Sequence, residues 1–203
     1  MTDFVIGPRT AIGRDRAGDP ETLGRLGTEL GFGLHNVAPT HAGNTEISST
    51  AIRRALNDGD LDGPASMLGR RFAIAGTVIM GDQRGRTLGF PTANINPESG
   101  DYSHVVPSNG IYAAWVTLAD GSQHEAAVSI GVRPTFGEGV RLVEAFLLDF
   151  DGDLYGQRLI IEFISRLRAE LKFDSAESLI VQMHKDVDDT RDILSRVAAA
   201  PAS

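Results

Sequence analysis

Phe72-Ala73-Ile74-Ala75-Gly76-Thr77-Val78-Ile79-Met80 alternates along its length and is rich in β-branched and aromatic residues. Such a run predicts a strand with one buried face. The same texture returns toward the C-terminus at residues 110–118, 125–131, 142–150 and 158–164. Turn residues separate these runs: Asp120-Gly121, Gly137-Glu138-Gly139 and Asp151-Gly152-Asp153. Five or six short strands at this spacing predict a mainly β unit, an antiparallel barrel or sandwich. A short helix over residues 61–68, stopped by Gly69, precedes the first strand. A long helix closes the unit. Asp174 and Glu177 form a capping-box pattern at its start, and Leu179, Ile180, Met183, Val187, Leu194 and Val197 mark its apolar stripe.

Upstream the pattern differs. Residues 4–7 suggest a short strand, and Asp19-Pro20 opens a helix with an N-cap and a proline at its first position. Leu23, Leu26 and Leu30 give that helix one apolar face, and Gly31 ends it. A second strand over residues 34–37 and a second helix over 49–57, with Ile52 and Leu56 on one side, follow. Strand, helix, strand, helix suggests part of a parallel α/β sheet, and sixty residues are few for a complete one. The expected division is a partial α/β piece over residues 1–60, a barrel domain over 62–197 and a tail over 198–203.

Composition narrows the function. With 41% hydrophobic residues the 203-residue chain can bury a core, and with no cysteine it can hold neither a disulfide nor a thiolate metal site. A net charge of −8 with scattered arginines argues against nucleic acid. No run reaches membrane-span length, so the expected address is cytoplasmic. The five histidines show no metal-ligand spacing.

Residues 81–94, GDQRGRTLGFPTAN, carry the strongest chemical signal. Gly81, Gly85 and Gly89 let a backbone approach a ligand closely, and successive free amides in such a loop can cradle phosphate oxygens. Thr92 and Asn94 are two apart, so on an extended segment both point one way, offering neutral oxygens to a hydrated Mg²⁺ shared with phosphates. A solvated loop with a proline turn is the competing reading. Glu144 lies among apolar residues and in strict alternation shares a face with Leu142, Phe146 and Leu148, a face expected to be the barrel interior. A carboxylate there needs a function or a partner; the alternative is an exposed edge-strand glutamate. Residues 129–137 form another glycine- and proline-marked loop, and Arg166 and Arg168 precede the last helix, either meeting an anion or decorating the surface.

Taken in order, Gly76-Thr77-Val78, GDQRGRTLGFPTAN (81–94), GIYAAWV (110–116), SIGVRPTFG (129–137), EAFLLDFDGDLYG (144–156), RLRAELKFDS (166–175) and the final helix resemble the riboflavin kinase module of bacterial bifunctional riboflavin kinase/FAD synthetases. The resemblance implies a six-stranded antiparallel barrel with a C-terminal helix. It implies transfer of the ATP γ-phosphoryl group to riboflavin, giving FMN and ADP, with Thr92 and Asn94 at Mg²⁺ and the phosphates and Glu144 as the base. The loop with Gly81, Arg84, Gly85, Arg86 and Gly89 would cover the nucleotide, and Arg168 and Phe173 would shape the flavin side.

The chain departs from the family pattern at Ser129, where Asn is frequent, and at Ala169, where Pro is frequent. Residues 4–7, 13–19 and 47–53 resemble the second half of the FAD synthetase module, with Pro8-Arg9-Thr10-Ala11 in place of an aromatic-rich stretch. The His-x-Gly-His motif of the first half does not occur in these 203 residues. FAD synthesis is therefore not expected from this chain alone, and self-association or a partner chain through residues 1–60 stays open. Two alternatives compete with an active kinase: a non-catalytic flavin- or nucleotide-binding regulator, and one chain of a split bifunctional enzyme.

Overall fold

A computed structural model describes residues 2–7, 9–81, 84–97, 105–132 and 141–198. The chain divides into two compact units, Met1–Ser48 and Ser49–Ser203.

In the first unit, β1 (Asp3–Ile6) pairs in parallel with β2 (Gly33–Asn36), Phe4 opposite Leu34. The crossover is α1 (Pro20–Leu30). Its start follows the expected chemistry: the Thr22 amide donates to Asp19 Oδ1 at 2.8 Å, and Gly31 ends the helix at φ +75°, a left-handed conformation that side chains resist. Ile6 and Leu23 are the buried apolar residues. A small hairpin, β3 (His41–Ala42) with β4 (Thr45–Glu46), was not evident from the sequence.

The second unit begins with α2 (Ser49–Asp58) and α3 (Asp62–Leu68). The sequence order groups α2 with the α/β piece, yet it packs on the barrel. Leu56 is fully buried in the barrel's core, Ile52 packs against that core, and the Ser108 amide donates to the Leu56 carbonyl at 2.9 Å.

Six strands then close a barrel: β5 (Ala73–Ile79), β6 (Ala93–Pro97), β7 (Gly110–Thr117), β8 (Gln123–Val132), β9 (Arg141–Leu147) and β10 (Arg158–Arg168). Between β5 and β6 lies one helical turn, α4 (Arg84–Thr87). The strands are antiparallel in the order β10-β5-β6-β9-β8-β7. Closure gives each described barrel strand a neighbour on both sides. Val78, Ile95, Tyr112, Val128, Ile130, Val143, Leu159, Ile161 and Phe163 fill the interior. Tyr112 is buried with its hydroxyl donating to the Ser108 carbonyl at 2.6 Å, so its polar end is satisfied.

The last helix, α5 (Ala176–Ala198), lies on the outside of β7, β8 and β10. Leu194, Ile193 and Val197 meet Ala113, Ile164 and Trp115 there, forming a second small core. Its cap is Ser175 rather than Asp174: the Ser178 amide donates to Ser175 Oγ at 3.2 Å. No helix among the described residues is long and apolar enough to cross a membrane.

Candidate active site

Directly opposed residues of an antiparallel ladder project to the same face, with Cβ atoms about 4.5–5.5 Å apart. One such row crosses the whole barrel. Ile79 of β5 opposes Asn94 of β6, Asn94 opposes Glu144 of β9, and Glu144 opposes Ser129 of β8. Ser129 in turn opposes Ile111 of β7, which opposes Arg168 of β10. The residues on either side, Val78, Ile95, Val143, Ala145, Val128 and Ile130, are core residues. The row therefore faces outward. It sets Asn94 beside Glu144 and Glu144 beside Ser129, the first residue of the second glycine- and proline-marked loop, while Arg168 stands three strands from Glu144 along the row.

This corrects one expectation. Glu144 does not point into the barrel; Val143, Ala145 and Leu147 do. Both faces of β9 are apolar because both are covered. Phe146, two residues beyond Glu144 on the same outer face, packs its ring edge-on to Phe90 at 5.2 Å between centroids. Glu144 itself is half-buried.

The glycine-marked segment lies next to this row. A Cβ at Gly81 would fall 2.2–2.6 Å from the atoms of the Asn94 amide group, so only glycine leaves that side chain its place. A Cβ at Gly85 would fall 2.3 Å from the Phe90 carbonyl oxygen and 3.6 Å from Thr92 Oγ1. Residues 84–90 thus form a closed turn against the Thr92 hydroxyl. The turn uses its own amides: Leu88 and Phe90 donate to the Gly85 carbonyl at 3.0 and 2.9 Å, and Gly89 donates to the Arg86 carbonyl at 3.3 Å. These three amides are bonded within the turn. Gly89 (φ +87°) and Arg86 are exposed. Asp82 and Gln83, and residues 133–137 of the second loop, lie outside the described residues, as do His104 and residues 199–203 of the tail.

The donors here suit a hard cation. Thr92 and Asn94 offer neutral oxygens, Glu144 a carboxylate opposite Asn94, and the glycine turn keeps side chains off Asn94. The two neutral oxygens leave most of an octahedral shell to water and phosphate, the arrangement a Mg²⁺-like ion prefers, with the carboxylate alongside. Among the described residues no cluster of three or more His, Asp or Glu forms a separate metal site.

Arg168 is committed elsewhere than expected. Its Nε and Nη2 donate to Asp186 Oδ1 and Oδ2 of α5 at 2.8 and 2.6 Å, and its Nη1 to the Ala169 carbonyl at 3.0 Å. Its guanidinium carbon stands 6.0 Å from the half-buried Phe173 ring. This fork fixes α5 to the end of β10 and holds Phe173 beside it. Nearby, Asn109 Nδ2 donates to Glu170 Oε2 at 3.0 Å, and a Cβ at Gly131 would fall 2.2 Å from Glu170 Oε1. The β10–α5 connection is thereby tied to β8. The sequence missed Phe90, Phe146 and His184 as one aromatic group; their spacing in the chain gives no hint of it.

Known proteins similar to this chain point to one family. Residues 68–194 match the Flavokinase model, described as riboflavin kinase. A bifunctional riboflavin kinase/FMN adenylyltransferase of Listeria monocytogenes is 41% identical over 157 residues, covering 77% of this chain and 49% of the relative. One of the same description from Pseudomonas fluorescens is 37% identical over 199 residues, 98% of this chain and 61% of the relative. The chain thus spans about half to three-fifths of the length of these curated relatives. A solved Streptococcus pneumoniae structure, described as a macrolide-efflux protein, superposes with a TM-score of 0.74 at 31% identity, over 92% of this chain and 60% of that one. With more than half of its residues under the family model, on a closed six-stranded barrel, this chain belongs to the riboflavin kinase family.

Proposed function

We propose that this chain transfers the γ-phosphoryl group of ATP to the 5′-hydroxyl of riboflavin, giving FMN and ADP, with Mg²⁺ as the metal. The observation that carries the proposal is the register of Asn94 opposite Glu144, with Thr92 two residues before Asn94. Phosphoryl transfer asks the protein mainly for positioning and charge stabilisation. Bound Mg²⁺, held by Thr92 and Asn94, supplies charge neutralisation at the phosphates. Glu144 accepts the proton of the ribityl 5′-hydroxyl as its oxygen attacks the γ-phosphorus. The bond from that phosphorus to the β–γ bridging oxygen breaks, and ADP leaves. The turn holding Gly81, Arg84, Gly85, Arg86 and Gly89 flanks the nucleotide. Phe173, held by Arg168, flanks the flavin. The reading includes a cytoplasmic address.

Residues 1–60 are read as derived from an FMN adenylyltransferase module. In support, the Pseudomonas relative aligns over 98% of this chain, and β1, α1 and β2 make a parallel crossover. Val5, Leu30 and Val37 are more than half exposed there, which suits a second copy or a partner chain.

Glu144→Gln tests the catalytic assignment. The substitution keeps size and shape but removes the base. Turnover should fall at least about 10²-fold while riboflavin binding persists. Near-normal turnover by the folded variant would remove Glu144 from this role.

A further inference from the structure

Phe90 is held from several directions at once. The residue is 5% exposed. It meets Phe146 of β9 edge-to-face, at 5.2 Å and 64°, and His184 of α5 likewise, at 5.0 Å and 68°. Both contacts lie in the favourable range for aromatic pairs. Its amide closes the turn onto Gly85, and Gly89 before it takes a left-handed conformation. Pro91 follows, then Thr92, then Asn94 two residues on. Phe146 stands two residues from Glu144 on the same outer face. Any slip of Phe90 along Phe146 is therefore a slip of Thr92 and Asn94 relative to Glu144.

We infer that Phe90, wedged between Phe146 and His184, is the residue that positions the Thr92–Asn94 pair for the nucleotide, and that His184 is the contribution of α5 to that wedge. The inference rests on the kinase reading of this face. His184 is exposed, so core burial does not account for it. Its ring closes the third side of the slot, and it acts through Phe90 without touching substrate. Small displacements weigh heavily in a reaction governed by positioning.

The test uses the full chain and the variants His184→Ala, His184→Phe and Phe90→Leu. Four quantities are measured: the KM for Mg²⁺·ATP, kcat, riboflavin affinity by flavin fluorescence, and Mg²⁺·ADP affinity by calorimetry. His184→Ala should raise the KM for Mg²⁺·ATP about fivefold and weaken Mg²⁺·ADP similarly, with the unfolding midpoint and riboflavin affinity at wild-type values. His184→Phe, which keeps a ring in the slot, should restore both. Phe90→Leu should act in the same direction by about tenfold or more. Folded His184→Ala and Phe90→Leu proteins with unchanged Mg²⁺·ATP KM and Mg²⁺·ADP affinity would overturn the inference. So would a change that appears in the unfolding midpoint alone. A wild-type protein that binds Mg²⁺·ADP and makes no FMN refutes the kinase reading, while the Mg²⁺·ADP series still decides the role of Phe90. A wild-type protein that binds no Mg²⁺·ADP overturns both.

Discussion

Replacing Asp186 by Ala removes half of an ion pair that is largely out of water. The Arg168 side chain is 18% exposed and that of Asp186 6%. Two charge-assisted bonds, at 2.8 and 2.6 Å, are lost, together with a third from Gln182 Nε2 at 2.9 Å. The guanidinium left behind is covered by α5 and has no carboxylate. Breaking a buried pair from one side costs about 3–5 kcal/mol. Arg168 keeps the Ala169 carbonyl and the Phe173 ring, which sets the expectation at the lower end, about 3 kcal/mol. For a unit running from Ser49 to Ser203, that lowers the unfolding midpoint by roughly 6–12 °C. Removing both charges together, as Arg168→Met with Asp186→Leu, leaves no orphan and should return stability to within about 1 kcal/mol of wild type. The readout is the fluorescence of Trp115, the single tryptophan, which packs in the small core beneath α5. An Asp186→Ala protein within about 1 kcal/mol of wild type, or a double variant no more stable than the single one, would refute the reasoning.

Two further expectations follow from the same structure. Gly81→Ala places a methyl where the Asn94 amide now lies, so it should reproduce Asn94→Ala: a raised KM for Mg²⁺·ATP with riboflavin affinity little changed. Steady-state kinetics of the two variants side by side check this, and a wild-type KM in Gly81→Ala would count against the placement. At the other end of α5, hydrogen bonds from Arg191, with Nη1 and Nη2 reaching its two oxygens at 2.7 and 2.9 Å, hold the Asp149 carboxyl below the usual aspartate range. A lowered native pKa gives stability that is complete above the unfolded value, about 4, and lost as pH falls through the native value. Wild type should therefore lose more stability than Asp149→Asn on acidification from pH about 6 to 3, and parallel acid-unfolding curves would contradict this.

Most of the barrel was legible because its strands alternate and its turns are marked by Gly and Asp. β5, β7 and β8 fall within two residues of the predicted runs. β10 runs on to Arg168, past the predicted stop at Ile164, because two register shifts break its alternation. β6 is only five residues long and lies inside the glycine- and proline-rich motif, so it reads as motif before it reads as strand. Alternation could not tell which face Glu144 takes, since Phe90 and Phe146 bury the outer side as the core buries the inner. Nor could local pattern assign α2, whose membership is decided by the burial of Leu56 among residues distant in the chain. Residue chemistry marked the Thr92–Asn94 pair and Glu144 as separate candidates. That Asn94 stands opposite Glu144 depends on barrel register, which no local signal encodes.

The most direct test of the central claim is product chromatography of the purified chain with riboflavin, ATP and Mg²⁺, following FMN and FAD over time. FMN accumulating without FAD is the predicted result. Folded protein that binds riboflavin and Mg²⁺·ATP yet forms no FMN would contradict it.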